Sequence, residues 1–150
     1  MKIFYHDNEV GVPMKEAKVI DLFKDNIKFS KNNIIACRCN NEIKSLEYVI
    51  QEGDKVDLID ITDKDGMRIY VRGVLFVMAK AFEKLYPEAM LSVNYQLSNA
   101  MFCELDNMKM TDEMINNIHN RMQEIIDKDI EIRKVKMTLE EAKAFYEKDK

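Results

Sequence analysis

IDITDKDGMRIYVRGVLF, residues Ile59 to Phe76, is the stretch of sequence that decides the fold. Its first residues are typical of the end of a strand, and a charged turn ending at Asp65-Gly66 follows. Apolar residues then recur at helical spacing until Pro87, which cannot continue a helix. The stretch therefore predicts a strand that passes through a turn into one long helix, Met67–Tyr86, and we expect this helix to be deeply buried.

The sequence pattern of residues 1–62 predicts a small α+β unit, with strands and one helix in the order of a β-grasp fold. A turn at Asp7-Asn8-Glu9 separates the first two strands, and Asn40-Asn41 marks a second turn. The expected elements, in order, are strands at Lys2–His6 and Val10–Val12, a helix near Lys15–Lys24, and strands at Ile34–Cys39 and Val56–Ile61.

The sequence pattern of residues 63–150 predicts a second α+β unit, which begins with the long helix. Two strands joined at Asn99-Ala100, a helix capped by Thr111, a half-exposed strand and a final helix follow it. The predicted bounds are Met90–Ser98, Met101–Leu105, Thr111–Asp127 and Ile130–Met137, with a capping box at Thr138–Glu141. Because a new helix starts so close to Lys150, we expect this unit to be an incomplete part of a longer protein.

The composition argues against several classes of protein. The 150 residues carry a net charge of −4, with 47% hydrophobic and 33% charged residues, which is typical of a globular domain. This balance argues against a DNA-binding protein but leaves room for a local RNA-binding patch. No apolar run reaches the roughly 20 residues that span a bilayer, so no membrane partner is expected. Three cysteines, an odd number, favour a reduced, cytoplasmic chain.

Both parts of the chain resemble modules of threonyl-tRNA synthetase. Cys39–Ile43 is similar to the Val-Asn-Gly-Glu-Leu turn of the small TGS domain but lacks its glycine. Residues 67–145 resemble the second additional domain, which edits mischarged tRNA, at Lys84–Pro87 (family Leu-Trp-Pro), Asn99–Glu104 (family Asn-Gly-Phe-Tyr-Tyr-Asp), Arg121-Met122 and Glu140–Ala142. The resemblance implies a TGS-like β-grasp domain at 1–62 and an editing-like domain at 63–150.

The resemblance also implies that the editing chemistry is lost. The family's helix opens with His-x-x-x-His, and the matching positions here hold Arg72 and Phe76. A guanidinium and a phenyl ring do not ligate zinc, so we expect no metal site and no cofactor in this chain. The family's later Cys-x-x-x-His pair would fall beyond Lys150. We therefore expect a related architecture that carries a degenerate editing site.

This degenerate site supplies the candidate binding residues. Arg72, Phe76 and Lys80 are four apart and therefore share one helix face. If a hairpin carrying Asn99 and Cys103 lies across that face, the pocket offers two cations, an amide and an aromatic surface, which suits a nucleotide or tRNA. The alternative is that Arg72 and Lys80 are solvated and that Phe76 is a packing residue, since isolated helix cations are usually surface residues.

The remaining motifs give no catalytic constellation. Cys37 and Cys39 point to one face of a strand and are expected to be buried packing residues. Cys103 is a nucleophile only if a base lies beside it, and His119 is expected to face solvent. None of the four glycines belongs to a phosphate-binding loop, so this chain is not itself a kinase.

Two kinds of parent protein stay open. Asp63–Arg68 with Arg72-Gly73 is similar to uridine kinase-like nucleoside kinases, in which this same region precedes a P-loop kinase domain. That resemblance implies a non-catalytic accessory region that binds a ligand or RNA, or docks on its own kinase domain; ATP and magnesium are expected only there. The alternative is a tRNA-editing fragment of a threonyl-tRNA synthetase-like protein, with Cys103 as candidate nucleophile, or a stand-alone RNA-binding module.

Overall fold

A five-stranded sheet forms the first part of the chain. The computed structural model describes residues 1–12, 16–97, 100–130, 132 and 135–147. The strands are β1 (Lys2–Tyr5), β2 (Asn8–Gly11), β3 (Ile34–Cys39), β4 (Glu42–Lys44) and β5 (Lys55–Asp60), in the spatial order β2-β1-β5-β3-β4. β1 and β5 are parallel, and the other neighbours are antiparallel. Together with the helices described below, this sheet confirms the predicted α+β class.

One face of the sheet lies in the core because alternate side chains of each strand point the same way. The helices described next cover this face with apolar residues. The core residues, all at most 5% exposed, are Ile3, Val12, Ala17, Val19, Phe23, Cys37, Cys39, Ile50 and Val56. The prediction that the two cysteines of β3 are buried packing residues is therefore confirmed.

The predicted helix at Lys15–Lys24 is wrong in its bounds. Two short helices are present instead, α1 (Val19–Leu22) and α2 (Lys24–Phe29), and residues 13–15 lie outside the described part of the chain. Lys18 forms a β-bridge with Val49, which keeps the backbone before Val19 extended. Phe23, whose side chain is buried, leaves the helical conformation between the two helices at φ −101° and ψ 22°.

Both tight turns of the sheet use left-handed residues. His6 and Asp7, at φ 49° and 61°, join β1 to β2 one residue earlier than predicted. Asn40 and Asn41, at φ 49° and 66°, join β3 to β4 where the sequence predicts a turn. Asparagine and aspartate tolerate this conformation better than most residues, so the second turn forms without a glycine.

Asp54 is a buried carboxylate that ties the β3–β4 turn to the start of β5. It is 5% exposed and accepts hydrogen bonds from Asn40 Nδ2 at 2.7 Å, Gln51 N at 2.8 Å and Tyr48 OH at 3.3 Å. Burial by itself raises the pKa of Asp54, but the hydrogen bonds from Gln51 and Asn40 outweigh it and hold the pKa below the ordinary 3.8. The folded protein therefore favours the charged form.

The strand, turn and helix predicted at Ile59–Phe76 are present. β5 is followed by α3 (Lys64–Leu85), which begins three residues before the predicted start. Asp60 Oδ1 accepts a hydrogen bond from Thr62 N at 2.7 Å, and Asp63 Oδ1 accepts one from Asp65 N at 2.8 Å. The second bond satisfies a backbone N–H that the first helical turn would otherwise leave unpaired.

Gly66 allows the first turn of α3 to lie directly against the end of β5. A Cβ atom at this position would lie 1.9 Å from the backbone oxygen of Asp60 and 3.1 Å from the Ile59 side chain. The atom met at 1.9 Å belongs to the backbone, which cannot rotate away as a flexible side chain can. Glycine is therefore the residue that fits this junction.

The expected deep burial of α3 is wrong. Only two apolar side chains of α3 are buried, those of Ala81 (0% exposed) and Phe82 (4% exposed). Members of the predicted apolar stripe stay partly open to solvent, as at Val74 and Leu85, each 39% exposed. A sequence pattern gives the apolar face of a helix, whereas the amount of cover depends on which elements pack on it.

The second part of the chain has a hairpin and two helices. β6 (Leu91–Leu97) and β7 (Ala100–Leu105) pair antiparallel, and α4 (Asp112–Asp127) and α5 (Leu139–Glu147) follow. Thr111 Oγ1 accepts a hydrogen bond from Met114 N at 3.2 Å, which confirms the predicted cap of α4. At the start of α5, Thr138 N donates to Glu141 Oε2 at 2.8 Å and Glu141 N donates to Thr138 Oγ1 at 3.3 Å. This reciprocal pair confirms the predicted capping box.

The strand predicted at Ile130–Met137 is wrong for the residues that the structure describes. Ile130, Ile132, Val135 and Met137 belong to no strand, and their exposed fractions run from 45% to 66%. The alternating pattern has the period of a strand. A strand also needs a neighbour to satisfy its backbone groups, however, and none pairs with these described residues.

The chain divides into two compact units, Met1–Lys80 and Ala81–Lys150, with the division inside α3. The predicted domain boundary at residues 62/63 lies in the loop before α3 and stays a prediction. Within the described ranges, no helix has the length and apolarity that a membrane crossing requires.

Replacing Gly66 with alanine tests the junction. The new methyl group overlaps the backbone of Asp60, so we expect the free energy of unfolding to fall by about 3 kcal/mol. The matched control is Gly73→Ala on the same helix, where a Cβ meets nothing within 4 Å. That variant is expected to be neutral or to gain about 0.5–1 kcal/mol from helix propensity. Urea denaturation followed by circular dichroism measures both, and equal effects would contradict the close approach.

Replacing Asp54 with asparagine tests the buried carboxylate. The pKa of Asp54 is lower in the folded protein than in the unfolded chain. The charged carboxylate therefore stabilises the fold at any pH above its unfolded pKa, and this stabilisation is lost as the pH falls through its folded pKa. We expect Asp54→Asn to cost about 1–3 kcal/mol at neutral pH. The difference from the natural protein should shrink below about pH 4, near the unfolded pKa. Asp7→Asn, at an exposed left-handed position, is the control and should show no such pH dependence; a constant Asp54→Asn deficit would contradict the assignment.

Candidate functional site

The polar face of α3 carries three of the predicted site residues. Arg72, Phe76 and Lys80 follow one another at four-residue steps, which turn the helix by about 40° each, so they form one stripe. All three residues are exposed, and Phe76 is 58% exposed. Most of the Phe76 ring is therefore open to solvent, as are Arg72 and Lys80, and the choice between a ligand site and a solvated helix face stays a prediction.

Arg72 is an exposed cation of this stripe. Arg68, one turn earlier, is engaged by Asp65, with Arg68 Nη1 3.3 Å from Asp65 Oδ1. The structure gives Arg72 no ion-pair partner among the residues it describes. An exposed guanidinium next to an exposed phenyl ring offers two parallel hydrogen bonds beside a flat apolar surface.

The two remaining residues of the predicted site lie on the hairpin or beside it. Cys103 is on β7 and is partly buried, whereas Asn99 lies outside the described residues. The prediction that these two residues close the α3 face therefore stays a prediction.

Cys103 does not have the surroundings of an activated nucleophile. Burial raises the pKa of the Cys103 thiol above its ordinary 9.0, so the thiol is protonated at neutral pH. Its Sγ lies 3.9 Å from the carbonyl oxygen of Met101, a group that accepts a hydrogen bond and cannot remove a proton at neutral pH. His119 is exposed on α4, as predicted.

The thiols of β3 are equally unsuited to chemistry. Burial raises the pKa of Cys39 to about 11, and the neighbouring Asp54 adds to the rise. Burial also raises the pKa of Cys37, whose Sγ lies 3.6 Å from the carbonyl oxygens of Lys44 and Ser45. Within the described part of the chain, no three histidine, cysteine, aspartate or glutamate side chains converge as metal ligands.

Two clefts of the first unit were not predicted, and His6 lines both. The first, of about 200 Å³, is lined by Phe4, His6, Asp7, Lys55 and Asp57. The second, of about 540 Å³, is lined by Tyr5, His6, Asp25, Asn26, Phe29, Ser30, Ile34 and Leu58. The parallel pairing of β1 with β5 brings His6 Nδ1 to 3.4 Å from Asp57 Oδ1. No local motif marks this juxtaposition, because the two residues are far apart in the sequence.

No protein-family model matches this chain. Nearly all of it is similar to part of a threonine–tRNA ligase from Desulforamulus reducens, at 25% identity over 149 residues, which are 99% of this chain and 24% of the relative. The ligase of Bifidobacterium longum is 30% identical over 130 residues, 85% of this chain and 19% of the relative. That of Streptomyces griseus is 31% identical over 96 residues, 63% and 15% respectively. The chain thus spans about a quarter or less of the length of these relatives.

These similarities support the resemblance to threonyl-tRNA synthetase. They relate the chain to a segment of threonine–tRNA ligases and favour the synthetase alternative over the nucleoside-kinase interpretation. The expected kinase domain, with its ATP and magnesium, stays a prediction that these relatives do not support.

The thiols give a test of the site's chemistry. At about pH 8, a pKa above 9 leaves little thiolate, so we expect one thiol, Cys103, to react slowly with Ellman's reagent. Cys37 and Cys39 should react only after denaturant exposes them, because both are buried. Cys103→Ser should remove the slow native phase. A native thiol that reacts faster than free glutathione would mean that a base activates it.

Proposed function

We propose that this chain is a non-hydrolysing, tRNA-binding module related to threonine–tRNA ligases. In this proposal, the exposed α3 face of Arg72, Phe76 and Lys80 contacts the RNA. The observation that carries the proposal is the 58% exposure of Phe76 between two cationic positions of one helix face. The relatives supply the class of ligand, since they are named for joining threonine to tRNA.

The three side chains suit an unpaired part of an RNA. An exposed aromatic ring stacks on a base, which contributes about 1–3 kcal/mol per base and is tolerant of sequence. The guanidinium of Arg72 can hold a phosphate with two parallel hydrogen bonds, while the Lys80 ammonium adds a less directional charge. A net charge of −4 argues against a broad basic surface, so a local contact of this kind fits the chain better.

Hydrolysis of a mischarged tRNA is not part of this function. The resembled editing site uses histidines at the two positions that Arg72 and Phe76 occupy here. Neither side chain can accept a proton from water at neutral pH or hold a metal ion. The protonated thiol of Cys103 offers no substitute nucleophile.

The same proposal assigns residues 1–62 to a TGS-like β-grasp domain and residues 63–150 to an editing-like domain. The strand order β2-β1-β5-β3-β4, with β1 and β5 parallel neighbours, supports the first assignment. So does the left-handed Asn41, which stands where the resembled turn has glycine. The similarity to synthetases over nearly the whole chain supports both assignments.

Fluorescence polarisation with labelled, deacylated threonine tRNA tests the binding. We expect Arg72→Ala and Phe76→Ala each to weaken binding by about tenfold, which corresponds to the loss of one charge-assisted contact or one stacked base. The affinity should also fall as salt rises from about 50 to 200 mM, because phosphate contacts release counterions. Lys143→Ala removes an exposed cation on α5 and is the control, with less than about a twofold effect expected.

Two results would overturn this function. Absence of saturable binding at about 100 µM tRNA, or an unchanged affinity in both Arg72→Ala and Phe76→Ala, would remove the RNA contact. In a parallel assay, the chain should not accelerate the deacylation of seryl- or threonyl-tRNA over the uncatalysed rate. Acceleration that Cys103→Ala abolishes would instead establish a thiol-dependent hydrolase.

A further inference from the structure

The larger cleft of the first unit is built by three parts of that unit. The β1–β2 turn contributes Tyr5 and His6, and β3 and β5 contribute Ile34 and Leu58. The third part is α2 with the residue after it, which supplies Asp25, Asn26, Phe29 and Ser30. At about 540 Å³, the cleft lies within the usual size range of small-molecule sites. Its lining includes no residue of α3, so a ligand bound there is independent of the proposed RNA contact.

Aromatic rings make up one side of this cleft and are held in place by their neighbours. The Tyr5 ring lies 4.6 Å from the buried Phe23 ring and 4.1 Å from the His6 imidazole, measured between centroids. Phe29 is 74% exposed, so most of its ring faces solvent. The Lys28 ammonium lies 5.4 Å from the Phe29 centroid, which places one cation against that ring already.

The one fixed charge that lines the larger cleft favours a cation. Asp25 is the only side chain lining the larger cleft that is charged irrespective of the state of His6. A second carboxylate, Asp57, lies 3.4 Å from His6 Nδ1 and lines the neighbouring smaller cleft together with Lys55. The Lys28 ammonium lies over the Phe29 ring and is not one of the groups that line the cleft. An anionic ligand in the larger cleft would meet the Asp25 carboxylate, and none of the described lysines and arginines lines that cleft.

We infer that this cleft binds an organic cation, an ammonium or guanidinium group carried on an apolar body. The cationic group lies near Asp25, where the Asn26 amide and the Ser30 hydroxyl accept further hydrogen bonds. The apolar body lies against Tyr5, Ile34 and Leu58. Carboxylate and aromatic groups attract a cation by different means, and the attraction of both increases when the ligand excludes water.

A charge series on one ring system tests this inference. The probes are 2-phenylethylammonium, the neutral 2-phenylethanol and the anionic 3-phenylpropionate, titrated into the ¹⁵N-labelled full chain and followed by NMR. We expect the ammonium to shift the amide signals of His6, Asn26 and Leu58 with a Kd on the order of 1 mM. The alcohol and the anion should bind at least about threefold more weakly, since they lack the charge. Equal binding of all three probes would overturn the inference.

Charge-neutralising variants locate the effect. Asp25→Asn is expected to weaken ammonium binding by about three- to tenfold, and Asp57→Asn by a smaller factor because Asp57 does not line this cleft and is connected to it through His6. Asp129→Asn is the matched control: it lies in the other unit at φ 45°, a conformation that asparagine also tolerates. The dispersion of the NMR spectrum shows whether each variant is folded. Unchanged affinity in folded Asp25→Asn and Asp57→Asn would overturn the inference.

A blocked dipeptide identifies the source of the cation. Acetyl-Phe-Arg-amide presents a guanidinium and an aromatic ring as a protein partner would, whereas 2-phenylethylammonium represents a free metabolite. Tighter binding of the dipeptide supports a cationic side chain of a partner protein, and tighter binding of the free amine supports a small molecule. Failure of both to bind at about 10 mM would overturn the inference without affecting the RNA contact on α3.

Discussion

The close approach of α3 to the end of β5 is the constraint on which the candidate site depends. At Gly66 the helix lies so near the Asp60 carbonyl that a single methyl group does not fit. Because an α-helix is rigid over a few turns, the setting of its first turn fixes the direction of the side chains that follow. The position of the Arg72–Phe76–Lys80 face therefore depends on Gly66, a residue that carries no side chain.

Local signals in the sequence gave the most accurate predictions. The caps at Thr111 and Thr138 are fixed by side chains within three residues, so the pattern contains all the information needed. The bounds of β3 were also exact, because its short run of β-branched and small residues is buried in the middle of a sheet. Predictions that depended on distant partners were less accurate. The alternation at Ile130–Met137 has a strand period, but pairing cannot be deduced from period alone.

The sequence predicted part of the candidate site. Helical spacing places Arg72, Phe76 and Lys80 on one face, but it does not give the exposure of Phe76, which depends on the cover from other elements. The clefts around His6 were missed because a parallel strand pairing, with a long connection between β1 and β5, assembles them. The left-handed His6-Asp7 turn has only a weak sequence signal, since neither residue is glycine.

The exposure of Arg72 and Phe76 separates the proposed binding residues of α3 from the residues that stabilise the fold. Neither side chain contributes to the buried core, so substitutions at these two positions cost the fold little. The stability of the fold depends instead on Gly66 and on the core residues. Selection can therefore act on binding and on stability through different residues of one helix, and the exposed face is free to exchange one ligand chemistry for another while the chain keeps its structure.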